Sequence, residues 1–444
     1  MRHRPRTARA LAGAMVLAQL NVGAARAQNR AVTLEEAIAL ALRVQPAIVQ
    51  AQGDLDLAYA GKRQAIGSYL PTLNFSSGIS QNSPDRWNPQ TQQYITGNRS
   101  VSYSTGLDAS LLLFDGLSRL AETKAANATV SSADASLTNQ RFQVILQTKQ
   151  AFFGALAAAE LVRVTATQVS RAEQQLKISK DKLAAGSAIR SDTLRSTVEL
   201  GNARLQLLNA QAQLATAEAN LARLIGADGA VRASGTPALP NLSALDTAAL
   251  RLEVVSRSPS VQAAEAQARA ADAQVGVARA QYMPTLRASF SQNWAGAQND
   301  VWLSPGSVTD WPRLGNSWSL RFNLSWPLFN GFSRETAMSR SLVARRAAEA
   351  RAADARRQAN ANFTQQLAAL ETAAQQLAIA EASRAAAEED LRVQQERYRL
   401  GAATIVDVLT SQVSLGQAEV NLVQARLDLL LAKAQIEALA GREL

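Results

Sequence analysis

The sequence predicts a mainly helical protein with a smaller membrane β-barrel portion, built from one unit written twice. Three observations carry this. Short word pairs recur at fixed offsets. Proline is absent from two very long stretches. All six Trp fall in two windows where apolar and polar residues alternate.

The duplication comes first, because it organises everything else. Tyr69-Leu-Pro-Thr-Leu73 returns as Tyr282-Met-Pro-Thr-Leu286, and Pro46 returns as Pro259, both 213 residues on. Leu113-Phe-Asp-Gly116 returns as Leu328-Phe-Asn-Gly331, now 215 residues on. Gly186 with Gly401, Asp192 with Asp407 and Gly226 with Gly441 keep the offset of 215. The second copy therefore carries two extra residues between the Pro-Thr-Leu and Phe-Asp/Asn-Gly words. A period above 200 is a duplicated domain, not a solenoid. The expected units are residues 28–235 and 236–444.

Before the first unit, Arg2, Arg4, Arg6 and Arg9 precede a small-and-apolar stretch, Leu11 to Ala24, and Ala25-Arg26-Ala27 has the form of a cleavage site. This pattern predicts a secretory signal over 1–27 and a mature chain from Gln28. No Cys follows, so no N-terminal lipid anchor is expected there. Residues 1–27 hold five Arg and no acid, so their loss takes the net charge from +10 to +5. That excess does not call for nucleic acid. The cluster Arg345, Arg346, Arg351, Arg356, Arg357 reads as a solvated helix face.

Each unit opens with an Ala-rich, helix-favouring part, 33–70 or 247–283. A window of different character follows, about 71–114 or 284–329. Val101, Tyr103, Thr105, Leu107, Ala109, Leu111 and Leu113 alternate with Ser102, Ser104, Gly106, Asp108 and Ser110. Trp318, Leu320, Phe322, Leu324, Trp326 and Leu328 alternate with Ser319, Arg321, Asn323 and Ser325. Leu73, Phe75, Ile79 and Leu286, Ala288, Phe290, Trp294 supply the partner strands. Turn-rich loops join them at about 83–98 and 297–316. A soluble sandwich would also alternate. Charge on one face against a wide apolar face favours water on one side and lipid on the other. Trp318 and Trp326 stand roughly 26 Å apart along a strand, or about 20 Å after tilt, near the spacing of two aromatic girdles. Trp294, Trp318 and Trp326 are the expected girdle. Four strands cannot close a barrel, and lipid does not tolerate open edges, so several protomers must share one.

From Leu117 to about Leu183 runs a 67-residue stretch without proline. As one helix it would be about 100 Å long. Val162, Val169, Leu176 and Leu183 keep a seven-residue spacing, as do Leu200, Leu207, Leu214 and Leu221, and Leu415, Leu422, Leu429 and Ile436. These are coiled-coil seams. Gly186 and Gly401 interrupt them, so each unit should make an antiparallel helical hairpin that turns there.

Helix, Leu-Pro-Thr-Leu, β-hairpin, Leu-Phe-Asp/Asn-Gly, long helix, Gly turn, long helix: this order, given twice, resembles the TolC family of outer-membrane factors. Arg397-Tyr398-Arg-Leu-Gly401-Ala-Ala-Thr-Ile-Val-Asp407-Val-Leu409 is similar to the second hairpin tip of that family. The resemblance implies a homotrimer with a 12-stranded β-barrel in outer-membrane lipid and a periplasmic α-barrel. It implies a periplasmic adaptor and an inner-membrane pump or ABC exporter as partners. It also implies roles at the tips. Gly186, Gly401, Leu183 and Leu400 match the tip turns where an adaptor docks. Asp192 and Tyr398 match positions that link hairpins and hold the aperture shut. Asp407 matches an acid that narrows the pore with a ring of negative charge. Thr410 stands where a second acid often follows, and Ala403 where a basic residue often stands, so both networks are expected to be weaker here. An acid near a helix N-terminus is favourable in any case.

The chemistry left is passive. The chain has no Cys, and its one His, His3, lies in the expected signal. Triads, thiolates and most metal sites are thereby removed, and no phosphate-binding loop is present. The sequence predicts no enzyme and no cofactor. The leading expectation is an exit duct for drugs or other small toxic compounds. The outer channel of a type I protein secretion system shares the fold. A periplasmic coiled-coil adaptor is the distant alternative; it would need one helical hairpin in a split β domain, not two Trp-rich windows.

Overall fold

The computed structural model describes residues 30–82, 85–96, 100–237, 246–299 and 315–444. The expected signal, and Trp302 and Trp311 with it, lie outside these. The first unit runs β1 (Arg30–Val32), α1 (Leu34–Val44), α2 (Pro46–Gly67), β2 (Thr72–Asn82), β3 (Asp85–Asn88), β4 (Gln93–Thr96), β5 (Ser100–Phe114), α3 (Ser118–Ala184), α4 (Arg190–Ile225) and β6 (Val231–Ala233). The second runs α5 (Thr247–Arg257), α6 (Pro259–Ala280), β7 (Thr285–Asn299), β8 (Gly315–Ser325), α7 (Ser333–Arg399) and α8 (Ile405–Ala440).

Helix lengths repeat without change. They are 11 for α1 and α5, 22 for α2 and α6, 67 for α3 and α7, and 36 for α4 and α8. The helix-favouring parts 33–70 and 247–283 are each two helices. Pro46 and Pro259 start the second of each pair, where a missing N–H costs nothing. Two features were not expected. β1 and β6 form a short parallel pair, and β3 with β4 forms a small ribbon inside the expected loop 83–98, closed by Trp87 against Tyr94 at 5.0 Å.

The main sheet is antiparallel, in the order β2-β5-β7-β8. The two hairpins share one register: Thr72 faces Ser110, and the residues 213 and 215 further on, Thr285 and Ser325, face each other. Cross-strand partners share a face. One face carries Leu73, Phe75 and Ile79, then Tyr103, Leu107 and Ala109, then Ala288, Phe290 and Trp294, then Trp318, Leu320 and Phe322. The other carries Asn74, Ser76, Asp108, Ser291, Asn293, Ser319 and Arg321. Two details correct the expected alternation. A bulge between Leu112 and Phe114 puts Phe114, not Leu113, opposite Leu286 on the apolar face. β8 ends at Ser325, short of the expected Leu328, because Pro327 has no N–H for the ladder. β2 and β8 are open edges.

The helices form a wall. α3 packs on α2 and α4, and also on α6 and α8; α7 packs on α6 and α8. In the seams the expected Leu positions alternate with Ala: Leu200, Ala203, Leu207, Ala210 in α4 and Leu415, Ala418, Leu422, Ala425 in α8. Ala lets the backbones approach while Leu fills the holes. Midway, α1, α3, α4, β1, β6 and α8 meet around Val32, Phe152, Leu221 and Ala434. Beside this belt lies an ion pair joining the units: Lys149 Nζ is 2.6 Å from Glu437 Oε2, with only 8 % and 9 % of the side chains exposed. Glu437 Oε1 also accepts from the Leu444 amide at 3.1 Å. Among the described residues no helix is long and apolar enough to cross a membrane.

Candidate functional site

Both tips are built the same way. Gly186 and Gly401 take φ of +71° and +77°. The following amides donate back to helix carbonyls: Ser187 to Lys182 at 2.9 Å and Ala402 to Arg397 at 2.8 Å. This is the six-to-one closure that ends a helix on a left-handed residue. A Cβ on either glycine would meet nothing within 4 Å, so conformation alone selects glycine. Gly401→Ala is therefore expected to cost about 1 kcal/mol, read by chemical denaturation. Gly226→Ala should cost more, because its Cβ would lie 2.5 Å from Val44 Cγ1.

Leu183 and Leu400 are exposed at the tips, together with Ile189, Leu194 and Val406. Asp407 and Thr410 are exposed on the first turns of α8. Asp407 makes a reciprocal cap with Thr404: Oδ2 accepts from the Thr404 amide at 2.7 Å, and Thr404 Oγ1 accepts from the Asp407 amide at 3.3 Å. The Thr404 amide and the Thr404 hydroxyl, which donates to Oδ2 at 2.8 Å, hold the Asp407 carboxyl below the usual range, with Arg397 adding to them. The first copy has no such cap, because Ile189 stands where Thr404 would and has no oxygen to offer. The two expected acids are thus held differently.

Tyr398 is buried, and here the two tips touch. Lys182, from the end of α3, places Nζ 4.0 Å from the Tyr398 ring centroid and also donates to the Tyr398 carbonyl. Burial pushes the Tyr398 hydroxyl up; Ser179 pulls the other way and the charge of Asp192 adds to the rise. Ser179 itself shares a bond of 2.9 Å with Ser196 inside the first hairpin. Lys182 was not among the expected tip residues, although its counterpart 215 residues on is Arg397, also a cation.

A second pair of unexpected residues joins sheet to helix. Arg119 and Arg334, again 215 apart, each lie 4.9 Å from the ring of Tyr69 or Tyr282 in the repeated Tyr-x-Pro-Thr-Leu word. Each also donates to the Leu-Phe-Asp/Asn-Gly segment: Arg119 to Asp115 Oδ2 at 2.9 Å, Arg334 to the Pro327 and Leu328 carbonyls at 2.7 Å and 3.0 Å. The guanidinium ties together the two words that mark the repeat. Of the expected girdle, Trp318 and Trp326 are exposed and Trp294 is half-buried. Trp294 sits level with Asn316 near one end of β8. Trp326 lies just past the other end and donates to the Tyr282 carbonyl at 3.2 Å.

The described chain thus combines a sheet with one apolar face and two open edges with a wall of 67-residue helices. The sequence model of the family described as "Outer membrane efflux protein" matches residues 37–227 and 250–442. Protein CyaE of Bordetella pertussis is 29% identical over 68% of this chain; the match spans 61% of CyaE, less than two thirds of its length. The pyoverdine export outer membrane protein OpmQ of Pseudomonas aeruginosa is 28% identical over 90% of this chain and 84% of its own. The outer membrane protein VceC of Vibrio cholerae superposes with a TM-score of 0.74 over 92% of this chain and 96% of its own, at 17% identity, which is a likeness of fold.

Proposed function

The chain belongs to the outer membrane efflux protein family, and from that premise we propose that it is the passive exit duct of a three-part export machine, carrying drugs or other small toxic compounds. The family is one of outer-membrane channels, not enzymes, and this chain is an outer-membrane protein reaching into the periplasm. A periplasmic adaptor would dock on the exposed apolar tips, and an inner-membrane pump would supply the energy. The observation that carries the reading is the sheet: lipid-ready on one face, polar on the other, and unfinished at both edges. Deleting the gene from its native cell should raise susceptibility to drugs and restoring it should lower it again; unchanged susceptibility would remove drug efflux. A secretion channel is the second reading, because it would use the same fold. Co-purification with an ABC exporter rather than a drug pump would favour it.

The duct would be a homotrimer, and the duplication supports a specific geometry for it. Inside one chain β5 pairs with β7, Leu107 facing Gln292. Shifted by the two repeat offsets, the same rule pairs β8 with β2 of the next copy and sets Phe322 against Ile79. The helices follow suit. Leu194, Leu205 and Leu208 are exposed on α4, while their counterparts Leu409, Val420 and Val423 on α8 are half-buried. α7 of a neighbour would cover the former.

At the narrow end, three copies of Asp407 would ring the lumen. Asp407→Asn keeps an acceptor for Thr404 and removes the charge. Block of single-channel current by multivalent cations should weaken; unchanged block would take Asp407 out of the lining. Thr404 and Arg397 hold the carboxyl below its ordinary value, so block should persist at neutral pH and fade as acid protonates the ring.

A further inference from the structure

We propose that Leu117 and Phe332 are lipid anchors, set in the acyl chains of the periplasmic leaflet, and that they fix the lower edge of the membrane band. The proposal rests on the apolar face of the sheet meeting lipid.

Strain is the first observation. Gly116 and Leu117 have φ of +64° and +68°, and Gly331 and Phe332 have +65° and +62°. Glycine takes this region freely, but a bulky residue there costs about 1–2 kcal/mol. The same cost recurs at both copies of one position. The chain itself offsets little of it, because Leu117 is 62% exposed and Phe332, set edge-on to Phe329, is 66% exposed. Something outside the chain must offset the rest.

A second copy of the chain is not that partner. The contact between the two units stands in for the contact between copies, and Leu117 lies beside it. A Cβ on Gly116 would come within 2.2 Å of Met283 Cβ, so the second unit is already seated tightly there. Leu117 stays exposed all the same. A neighbour seated in the same way against Phe332 would leave that ring uncovered too.

Direction and depth point to lipid. The Phe332 ring packs edge-on to Phe329, with centroids 5.4 Å apart. Phe329 is the counterpart of Phe114, which pairs with Leu286 on the apolar face. The ring therefore continues that face beyond the strand. Phe114, Leu328 and Phe329 are exposed beside the two anchors. From Trp318 to Trp326 the tilted band is only about 20 Å high, short of the ~25 Å expected of such barrels, and Phe329 and Phe332 follow Trp326 at the helix end of the sheet.

The chain has no Cys, so a single introduced thiol can carry a nitroxide. Leu117→Cys and Phe332→Cys, labelled in the full-length protein and reconstituted in phosphatidylethanolamine–phosphatidylglycerol vesicles, should collide more with oxygen than with a water-soluble nickel chelate. Phe322→Cys on the apolar face should behave alike, and Ser319→Cys on the polar face should reverse the ratio. Nickel-dominated collisions at 117 and 332 would place them in water and overturn the anchors. Access to neither reagent would mean that protein covers them, which overturns the anchors equally. If Phe322→Cys is also nickel-accessible, the membrane face itself is wrong and the anchors fall with it. Both anchor side chains are exposed, so folding of the variants is not at stake.

Discussion

Lys149→Met is expected to destabilise the protein by about 3 kcal/mol, because it leaves the Glu437 carboxylate buried beside an apolar side chain. Only 8 % of Lys149 and 9 % of Glu437 is exposed, and their 2.6 Å contact crosses from α3 of one unit to α8 of the other. Lys433 at 3.6 Å and the Leu444 amide retain part of the carboxylate's solvation, which sets the effect at the low end for a broken buried pair. The double variant Lys149→Met, Glu437→Leu removes the orphaned charge and should recover much of the loss. Thermal melts of both in detergent check this. A single variant as stable as the parent would mean that the pair is solvated in the assembled protein. Repetition does not maintain this contact: the counterparts of Lys149 and Glu437 are Thr364 and Ala222. It is specific to the junction between units inside one chain.

Covalent closure is the second large effect. With Ile79→Cys and Phe322→Cys in one chain, oxidation should convert monomers on a denaturing gel almost wholly into linked trimers. Directly paired Cβ atoms stand about 4.5–5.5 Å apart, and a disulfide needs roughly 3.5–4.5 Å, within reach of small strand movements. Ser80→Cys with Phe322→Cys is the control. Side chains one step along a strand point to the other face, so this pair should stay monomeric on the gel. Cross-linking of the control and not of the first pair would put the register off by one and exchange the two faces of the sheet. Since the parent has no Cys, no background bond competes.

Much of the fold is legible in the sequence, and the reasons are local. The offset of 215 implies two hairpins of equal length because Gly186 and Gly401 are each the one residue type that closes the turn cheaply. Alternation reveals both faces of the sheet, since a side-chain period of two leaves little choice once one face is apolar. What stays hidden depends on distant partners or on very short elements. β1 and β6 are three residues each and lie about 200 positions apart. The β3–β4 ribbon is held by Trp87 and Tyr94 in a stretch rich in Asn, Gln and Pro, which reads as a loop. Lys149 and Glu437 look like ordinary helix-surface charges until the units are packed. At the tips, Thr404 followed three residues later by Asp407 is a visible cap signature, whereas the burial of Tyr398 under Lys182 needs both hairpins. Arg119 and Arg334 keep the offset of 215 and so are visible in principle. A cation in the first turn of a helix carries no turn or packing signal of its own, which is why they do not stand out.

The matched helix lengths also restrict how such a protein can change size. One residue inserted in α3 alone would lower that tip by about 1.5 Å and turn everything beyond it by roughly 100° about the helix axis. The seam would then face outward, and the two tips would no longer meet at Lys182 and Tyr398. Seven residues restore the seam to within about 20° and lengthen the hairpin by roughly 10 Å. To keep the tips level, the same seven must enter both limbs of both hairpins. Viable relatives should therefore differ in reach by heptads added four at a time, and a lone indel in this wall should be rarer than one in the loops at the far end of the sheet.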